Sequence, residues 1–380
     1  MTEATLFAPR RERRSLPQKL MSLNWGVVVL VLALGGIGTA MLYSVGGGSL
    51  KPWAMDHALR FAILLPVALI AAMIDLRYWM ALAYPAYFAG LILLVAVDLI
   101  GVVGMGGQRW LDLGFARLQP SELMKITTVL ALARYYHGLT AWQSSRLTHM
   151  LVPIAIIGVP CVLTVIQPDL GTALMLATAG AVVVFLAGAP KWLFIGGGLA
   201  AIAAIPVGMS LLHDYQRERL LSFMDPESDP LGAGYQVMQS KIALGSGGVS
   251  GKGFLEGTQS HLNFLPEMKT DFIFTVLAEE FGLIGGLVVL VLYAVVIFYG
   301  LYVGMTSRNQ FGRLLAAGLT VTIFLYMFIN IAMVMGLLPV VGVPLPLISY
   351  GGSAMLTFLA AVGLILCVAV NRRLVIPRAG

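Results

Sequence analysis

The chain has 380 residues, 59% of them hydrophobic and only 11% charged, with a formal net charge of +6 and a mean hydropathy of +0.89; soluble globular domains carry about 25% charged residues. That composition excludes a soluble enzyme and reads as an all-α polytopic membrane protein. The basic residues sit in tails and short loops without interleaved aromatics, which argues against nucleic acid as a partner, and Cys161 and Cys367 lie in apolar runs where a thiol behaves as a small hydrophobe.

A span needs roughly 20 mostly apolar residues. Such segments recur at 23–45, 58–74, 81–104, 121–136, 150–167, 170–189, 192–212, 271–304, 313–335 and 353–370, so about ten transmembrane helices are expected. Residues 1–22 form a basic tail (Arg10, Arg11, Arg13, Arg14, Lys19). The apolar run that follows is too long for a signal-peptide core and lacks a small-residue cleavage site, so it stays as an anchor. The transmembrane domain covers 23–370 and a short tail covers 371–380. Arg77, Arg134, Arg146, Lys191, Arg308, Arg313, Arg372, Arg373 and Arg378 share the side of the N-terminal tail, which places both termini in the cytoplasm and the chain in the cytoplasmic (inner) membrane. Glu3, Glu12 and Asp75 are the acidic residues on that side, so acid–base chemistry is expected on the opposite one.

An ionisable side chain inside a bilayer costs at least about 2.5–3.5 kcal/mol at the centre and is a functional hypothesis by default. In "QPSELMK", Glu122 and Lys125 share a helix face at i,i+3; they form either a self-neutralising pair or the lining of a polar cavity. In "QPDLGTA", Asp169 sits in a tight turn, where capping the next helix explains it and catalysis is the sharper alternative. His57, His137, His149, His213 and His261 have no metal-binding spacing.

Residues 213–270 form a polar loop between the seventh and eighth segments, far longer than ordinary connections. Within it "GYQVMQSKIAL" puts Tyr235, Met238 and Ile242 on one stripe of a surface-lying amphipathic helix. "GSGGVSGKG" fails as a nucleotide-phosphate loop because Gly253 follows Lys252 where Ser or Thr is required, though glycine N–H groups there could still meet a pyrophosphate. "FLPEMKTDFIFTVLAEE" crowds Glu267, Lys269 and Asp271 at a helix mouth, more polar chemistry than the N-cap that Thr270 or Asp271 alone could supply. Glu279 and Glu280 lie roughly 12 Å deeper at 1.5 Å per residue, in an expected structural network with Lys125 or Arg109 to offset them. "GLLPVVGVPLPLISYGGSA" is too rich in proline and glycine for a helix, and reads as a re-entrant segment.

These stretches, with "GGQRWLDLG" and Asn330 five residues before Gly336, resemble the RodA/FtsW family of bacterial cell-wall proteins, also called SEDS, over nearly the whole chain; "HDYQRERLLSFMDPESDPLGAGYQVMQSKIALGSGG" looks like its RodA branch. The resemblance implies a peptidoglycan glycosyltransferase that polymerises lipid II during cell elongation. It implies a class B penicillin-binding protein as transpeptidase partner, alongside other elongation-complex membrane proteins. It also puts the family's essential loop aspartate on Asp271.

Such a reaction needs a base for the acceptor hydroxyl and a cationic site for the leaving undecaprenyl pyrophosphate. An exposed Asp is a weak base, so its surroundings are expected to raise its pKa. Arg109, Lys125, Arg217, Arg219, Lys252 and Lys269 are the candidate cations, Glu122 and Asp169 are further candidates for substrate contact, and a divalent cation, Mg2+ or Mn2+, is compatible with the same task. Two other readings fit the spans and intramembrane charges: a carrier that flips lipid II without chemistry, and a non-catalytic scaffold for the transpeptidase.

Overall fold

The computed structural model describes residues 16–104, 107–112, 114, 117–211, 217, 222–225, 232–258 and 267–377. The helices among them are α1 (Leu16–Met21), α2 (Trp25–Val45), α3 (Trp53–Met73), α4 (Leu76–Ile100), α5 (Pro120–His137), α6 (Ala141–Ser144), α7 (Leu151–Ile166), α8 (Leu170–Leu186), α9 (Lys191–Leu211), α10 (Ala233–Ser246), α11 (Ile273–Thr306), α12 (Gln310–Val334) and α13 (Gly352–Val370). A helix occupies each of the ten apolar segments. Among the described residues seven stretches are long and apolar enough to cross a membrane by themselves: α2, α3, α4, the run Leu147–Ile166 that holds α7, α11, α12 and α13. The chain is a multi-pass membrane protein.

Several boundaries differ from the sequence reading, the third span beginning at Leu76 and not at residue 81. The second span begins at Trp53 and not at residue 58, which brings Asp56 and His57 into its first turns. The third ends at Ile100, because Gly101 turns the chain into a small antiparallel sheet, β1 (Val102–Gly104), β2 (Gly107–Asp112) and β3 (Arg117–Leu118), in the order β1-β2-β3. Trp110 pairs with Val102 and Leu111 with Leu118. Strands are not expected of a helical bundle; here they use short glycine-rich chain between two helix ends, where backbone groups still need partners.

The bundle has two ends. At one, Lys19 Nζ donates to the Met73 carbonyl (2.6 Å), Arg308 N–H to the Arg372 carbonyl (2.9 Å) and Asn309 Nδ2 to the Leu374 carbonyl (3.2 Å). At the other, the starts of α5, α8, α11 and α13 converge with the 336–351 segment. Of those seven stretches α12 and α13 are the most buried, and α12 packs on α5, α8, α11 and α13.

Segment 336–351 is irregular and internal, as its composition suggested. Leu345, Leu347 and Ile348 are fully buried, and a Cβ on Gly38 of α2 would collide with the Leu347 carbonyl, so only glycine lets the segment lie so close to α2. Its backbone finds partners: Tyr293 OH donates to the Pro346 carbonyl, and Leu345 N–H donates to Ser349 Oγ (2.8 Å). Irregular chain inside a bundle survives on such internal pairing.

Candidate active site

The mouth sequence forms a turn over residues 267–272, and α11 starts after it with Phe272 at the N-cap position, without a side-chain cap bond. The capping role considered for Thr270 is not filled: its hydroxyl goes to Glu267 Oε2 (2.7 Å). Nor does Asp271 hold the cap position. Two carbonyls anchor the turn. Tyr350 N–H donates to the Lys269 carbonyl (2.8 Å), and Asn330 Nδ2 donates to both the Asp271 carbonyl and the Val343 carbonyl (2.8 Å each). Asp271 is half-buried. The candidate base is therefore presented by a turn clasped from α12 and from the 336–351 segment.

Glu279 and Glu280 are buried beside a break in α11. Gly282 adopts φ 62° and ψ −159°, a conformation open essentially to glycine alone. The break strips hydrogen bonds from the helix, and the glycine loop restores them. Lys252 N–H and Gly253 N–H donate to the Glu279 and Glu280 carbonyls (3.0 Å each), while Leu283 N–H and Ile284 N–H donate to the Gly248 and Val249 carbonyls (3.0 and 3.2 Å). The N–H groups of Lys252 and Gly253 are thus engaged within the protein, which overturns their use as a pyrophosphate cradle.

The side chains follow the same logic. Lys252 Nζ pairs with Glu279 Oε1 (2.7 Å) and donates to Thr258 Oγ1 (2.7 Å), and Ser44 Oγ of α2 donates to Glu280 Oε1. The offsetting cation for Glu279 is Lys252, and neither Lys125 nor Arg109.

Lys125 and Glu122 form a buried pair (2.7 Å; 1% and 4% exposed). Tyr326 of α12 closes it: Lys125 Nζ donates to Tyr326 OH (2.7 Å), and that hydroxyl donates to Glu122 Oε2. Asp169 accepts from Thr172 N–H (3.2 Å), capping α8, and from Gln119 Nε2 (2.9 Å). Arg109, on β2, donates to the carbonyls of Gln167 (Nε, 3.0 Å) and Pro168 at the end of α7, where a cation suits the negative end of the helix dipole. Arg217 is exposed, and Arg219 lies outside the described residues. Among the described residues no group of three or more His, Cys, Asp or Glu is assembled.

α10 has two distinct faces. Val237, Ser240 and Ala243 face inward, with Ser240 Oγ bonded to Thr275 Oγ1 (2.7 Å) and to the Val334 carbonyl (2.8 Å), while Met238 and Ile242 face outward. Small residues win the inner face because they let the helix approach closely.

Sequence reasoning missed Tyr326, Arg60, Trp53 and Tyr350, and gave Asn330 no role. Tyr326 and Asn330 stand at i,i+4 in the otherwise apolar second half of α12, so polar spacing on one face was the available signal.

The FtsW/RodA/SpoVE family model, described as cell cycle protein, matches residues 21–374. The chain is 44% identical over 351 residues to peptidoglycan glycosyltransferase MrdB of Escherichia coli (strain K12), covering 92% of this chain and 94% of that one. It is 35% identical to the probable peptidoglycan glycosyltransferase FtsW of Trichlorobacter lovleyi, covering 94% and 96%. Among solved structures it resembles one described as structural coordination of polymerization and crosslinking by a peptidoglycan synthase complex (TM-score 0.79, 30% identity, 92% of this chain and 98% of that one). It also resembles the rod shape determining protein RodA of Thermus thermophilus (TM-score 0.69, 28% identity, 92% and 97%). A family match across almost the full length, spanning the clasped turn and the buried polar pairs, shows that the chain belongs to the FtsW/RodA/SpoVE cell cycle protein family.

Proposed function

We infer that the chain is a peptidoglycan glycosyltransferase of cell elongation, in keeping with the names of its relatives, and that it polymerises lipid II with Asp271 as general base. The observation that carries the second step is the anchoring of residues 267–272: two carbonyls of this turn, at Lys269 and Asp271, are fixed by separate elements. A base must be held within hydrogen-bond reach of the proton it takes, and backbone clamping on both sides of Asp271 supports that task.

In the proposed step the acceptor GlcNAc 4-hydroxyl gives its proton to the Asp271 carboxylate as its oxygen attacks the donor MurNAc anomeric carbon. The new glycosidic C–O bond forms, the anomeric carbon–phosphate C–O bond breaks, and undecaprenyl pyrophosphate leaves with the electron pair. Holding donor and acceptor in one geometry supplies much of the acceleration. A divalent ion, if bound through the pyrophosphate, would screen the leaving charge; no step here depends on it.

The clustering of Lys19, Arg308 and Arg372 at the end of the bundle away from Asp271 supports cytoplasmic termini in the inner membrane, with Asp271 at the outer surface. The synthase-complex neighbour supports a penicillin-binding protein as partner, here of class B. Incubating the purified protein with labelled lipid II, alone and with that transpeptidase, tests the reading: a ladder of glycan polymers is expected, and a folded complex that yields none would contradict it.

A further inference from the structure

We propose that Arg60 and Lys269, mounted on the Trp53–Tyr350 aromatic pair, form the seat for the diphosphate of the lipid-linked donor. This rests on the glycosyl-transfer reading and names the cations that the reading requires.

Four of the cations named from sequence are engaged or remote. Lys125 is sealed between Glu122 and Tyr326, Lys252 is paired with Glu279, and Arg109 is spent on two helix-end carbonyls. Arg217 has no described contact with the 267–272 turn. Arg219 lies outside the described residues; among those described Lys269 remains, and the fold brings Arg60 beside it.

The two cations ride on one pair of rings. Trp53 and Tyr350 meet edge to face, with centroids 5.2 Å apart at 78°. Lys269 Nζ lies 4.1 Å from the Trp53 ring centroid, and the Arg60 guanidinium 4.9 Å from that of Tyr350, with Nη2 donating to Tyr350 OH (3.1 Å). The Tyr350 hydroxyl donates onward to Asp56 Oδ2 (3.3 Å). Among the described residues neither cation has a carboxylate within 4.0 Å, and Asp56 offsets only one of the two charges.

An exposed arginine two turns inside a membrane helix, with no direct counter-ion, is costly unless an anion meets it. Of the five N–H donors of a guanidinium, only Nη2 of Arg60 is used among the described residues. The remaining fork suits phosphate oxygens bidentately, and Lys269 supplies a point charge for a second phosphoryl group. Lys269 is also two residues from Asp271, within about 7.6 Å along the chain, so a diphosphate seated here puts the anomeric carbon near the base.

Phosphate is shared by the donor, by its released lipid diphosphate and by phospholipid headgroups, and the test separates these sources. The full chain is placed in nanodiscs of phosphatidylcholine, with or without phosphatidylglycerol. Binding of undecaprenyl diphosphate is measured for wild type, Asp271→Asn, Arg60→Gln, Arg60→Lys and Lys269→Gln, with thermal unfolding of each as a fold control. Arg60→Gln and Lys269→Gln are each expected to weaken binding about tenfold or more, Arg60→Lys less, and Asp271→Asn little. Phosphatidylglycerol should compete only weakly. Should Arg60→Gln not fold, Lys269→Gln and Arg60→Lys still decide the matter.

Unchanged affinity in folded variants overturns the seat while leaving the glycosyl-transfer reading intact. So does a loss confined to phosphatidylglycerol, which would make the pair a headgroup anchor. Wild type that neither binds undecaprenyl diphosphate nor polymerises lipid II overturns the underlying reading instead.

Discussion

Asn330 holds Asp271 by its backbone: one amide group donates 2.8 Å to the Asp271 carbonyl and 2.8 Å to the Val343 carbonyl, tying the 267–272 turn to the irregular segment through α12. Asn330→Ala removes both bonds and leaves two carbonyls inside the bundle without that donor, a cost of about 1–3 kcal/mol. Because displacing a reacting group by about 1 Å can lower a rate about 100-fold, the variant should lose most of its polymerisation rate while its apparent KM for lipid II changes little. Asn330→Asp, which keeps shape but lacks the donor, should behave the same way. Steady-state kinetics on lipid II decide; a variant with normal kcat shows that the turn holds itself.

The Glu122–Lys125–Tyr326 network should behave as one buried unit. Lys125→Met alone strands the Glu122 carboxylate and should cost about 3–5 kcal/mol, whereas the double variant Glu122→Gln, Lys125→Met should cost much less. Thermal unfolding in detergent, compared through the double-mutant cycle, measures the coupling. Additive losses would mean that the two side chains act separately and would contradict the single buried unit.

Much of this was legible beforehand. The ten apolar segments and the pairing of Glu122 with Lys125 follow from periodicity, since helix spacing fixes which residues can touch. The partner of Glu279 was not legible. Lys252 lies 27 positions earlier and reaches Glu279 only because Gly282 breaks α11 and opens its backbone to the glycine loop. Nor could the sequence show that Arg60 meets Tyr350, 290 positions away; local spacing carries no information about which helices become neighbours. Segment 336–351 was recognisable as non-helical from its prolines, but its place against α2 depends on Gly38, one glycine among 43.

Gly282→Ala should be among the more damaging small substitutions. At φ 62° a Cβ is strained, by about 1–3 kcal/mol, and it would also crowd Gly251 N and the Val249 carbonyl. The expected outcome is a lower unfolding temperature and faster proteolysis within 247–258, where the loop is docked on the break. Unaltered protease resistance would show that this docking does not depend on the broken helix.

The transpeptidase partner should raise the polymerisation rate even with its own active-site serine blocked. The long loop ends in the 267–272 turn, and a partner that binds one arrangement of it better than another shifts the population towards the competent state. Rates with and without the blocked partner are to be compared at saturating lipid II. Tight binding with no change in rate rules this mechanism out.

The most direct test of the account is the polymerisation rate of Asp271→Asn on labelled lipid II, measured beside a thermal unfolding curve. The substitution keeps the size of the side chain and the clasped Asp271 carbonyl but removes the base, so the unfolding curve should match wild type while the rate falls by at least about 100-fold. A folded Asp271→Asn protein that still builds glycan ladders at close to the normal rate would contradict the assignment of Asp271 as the general base.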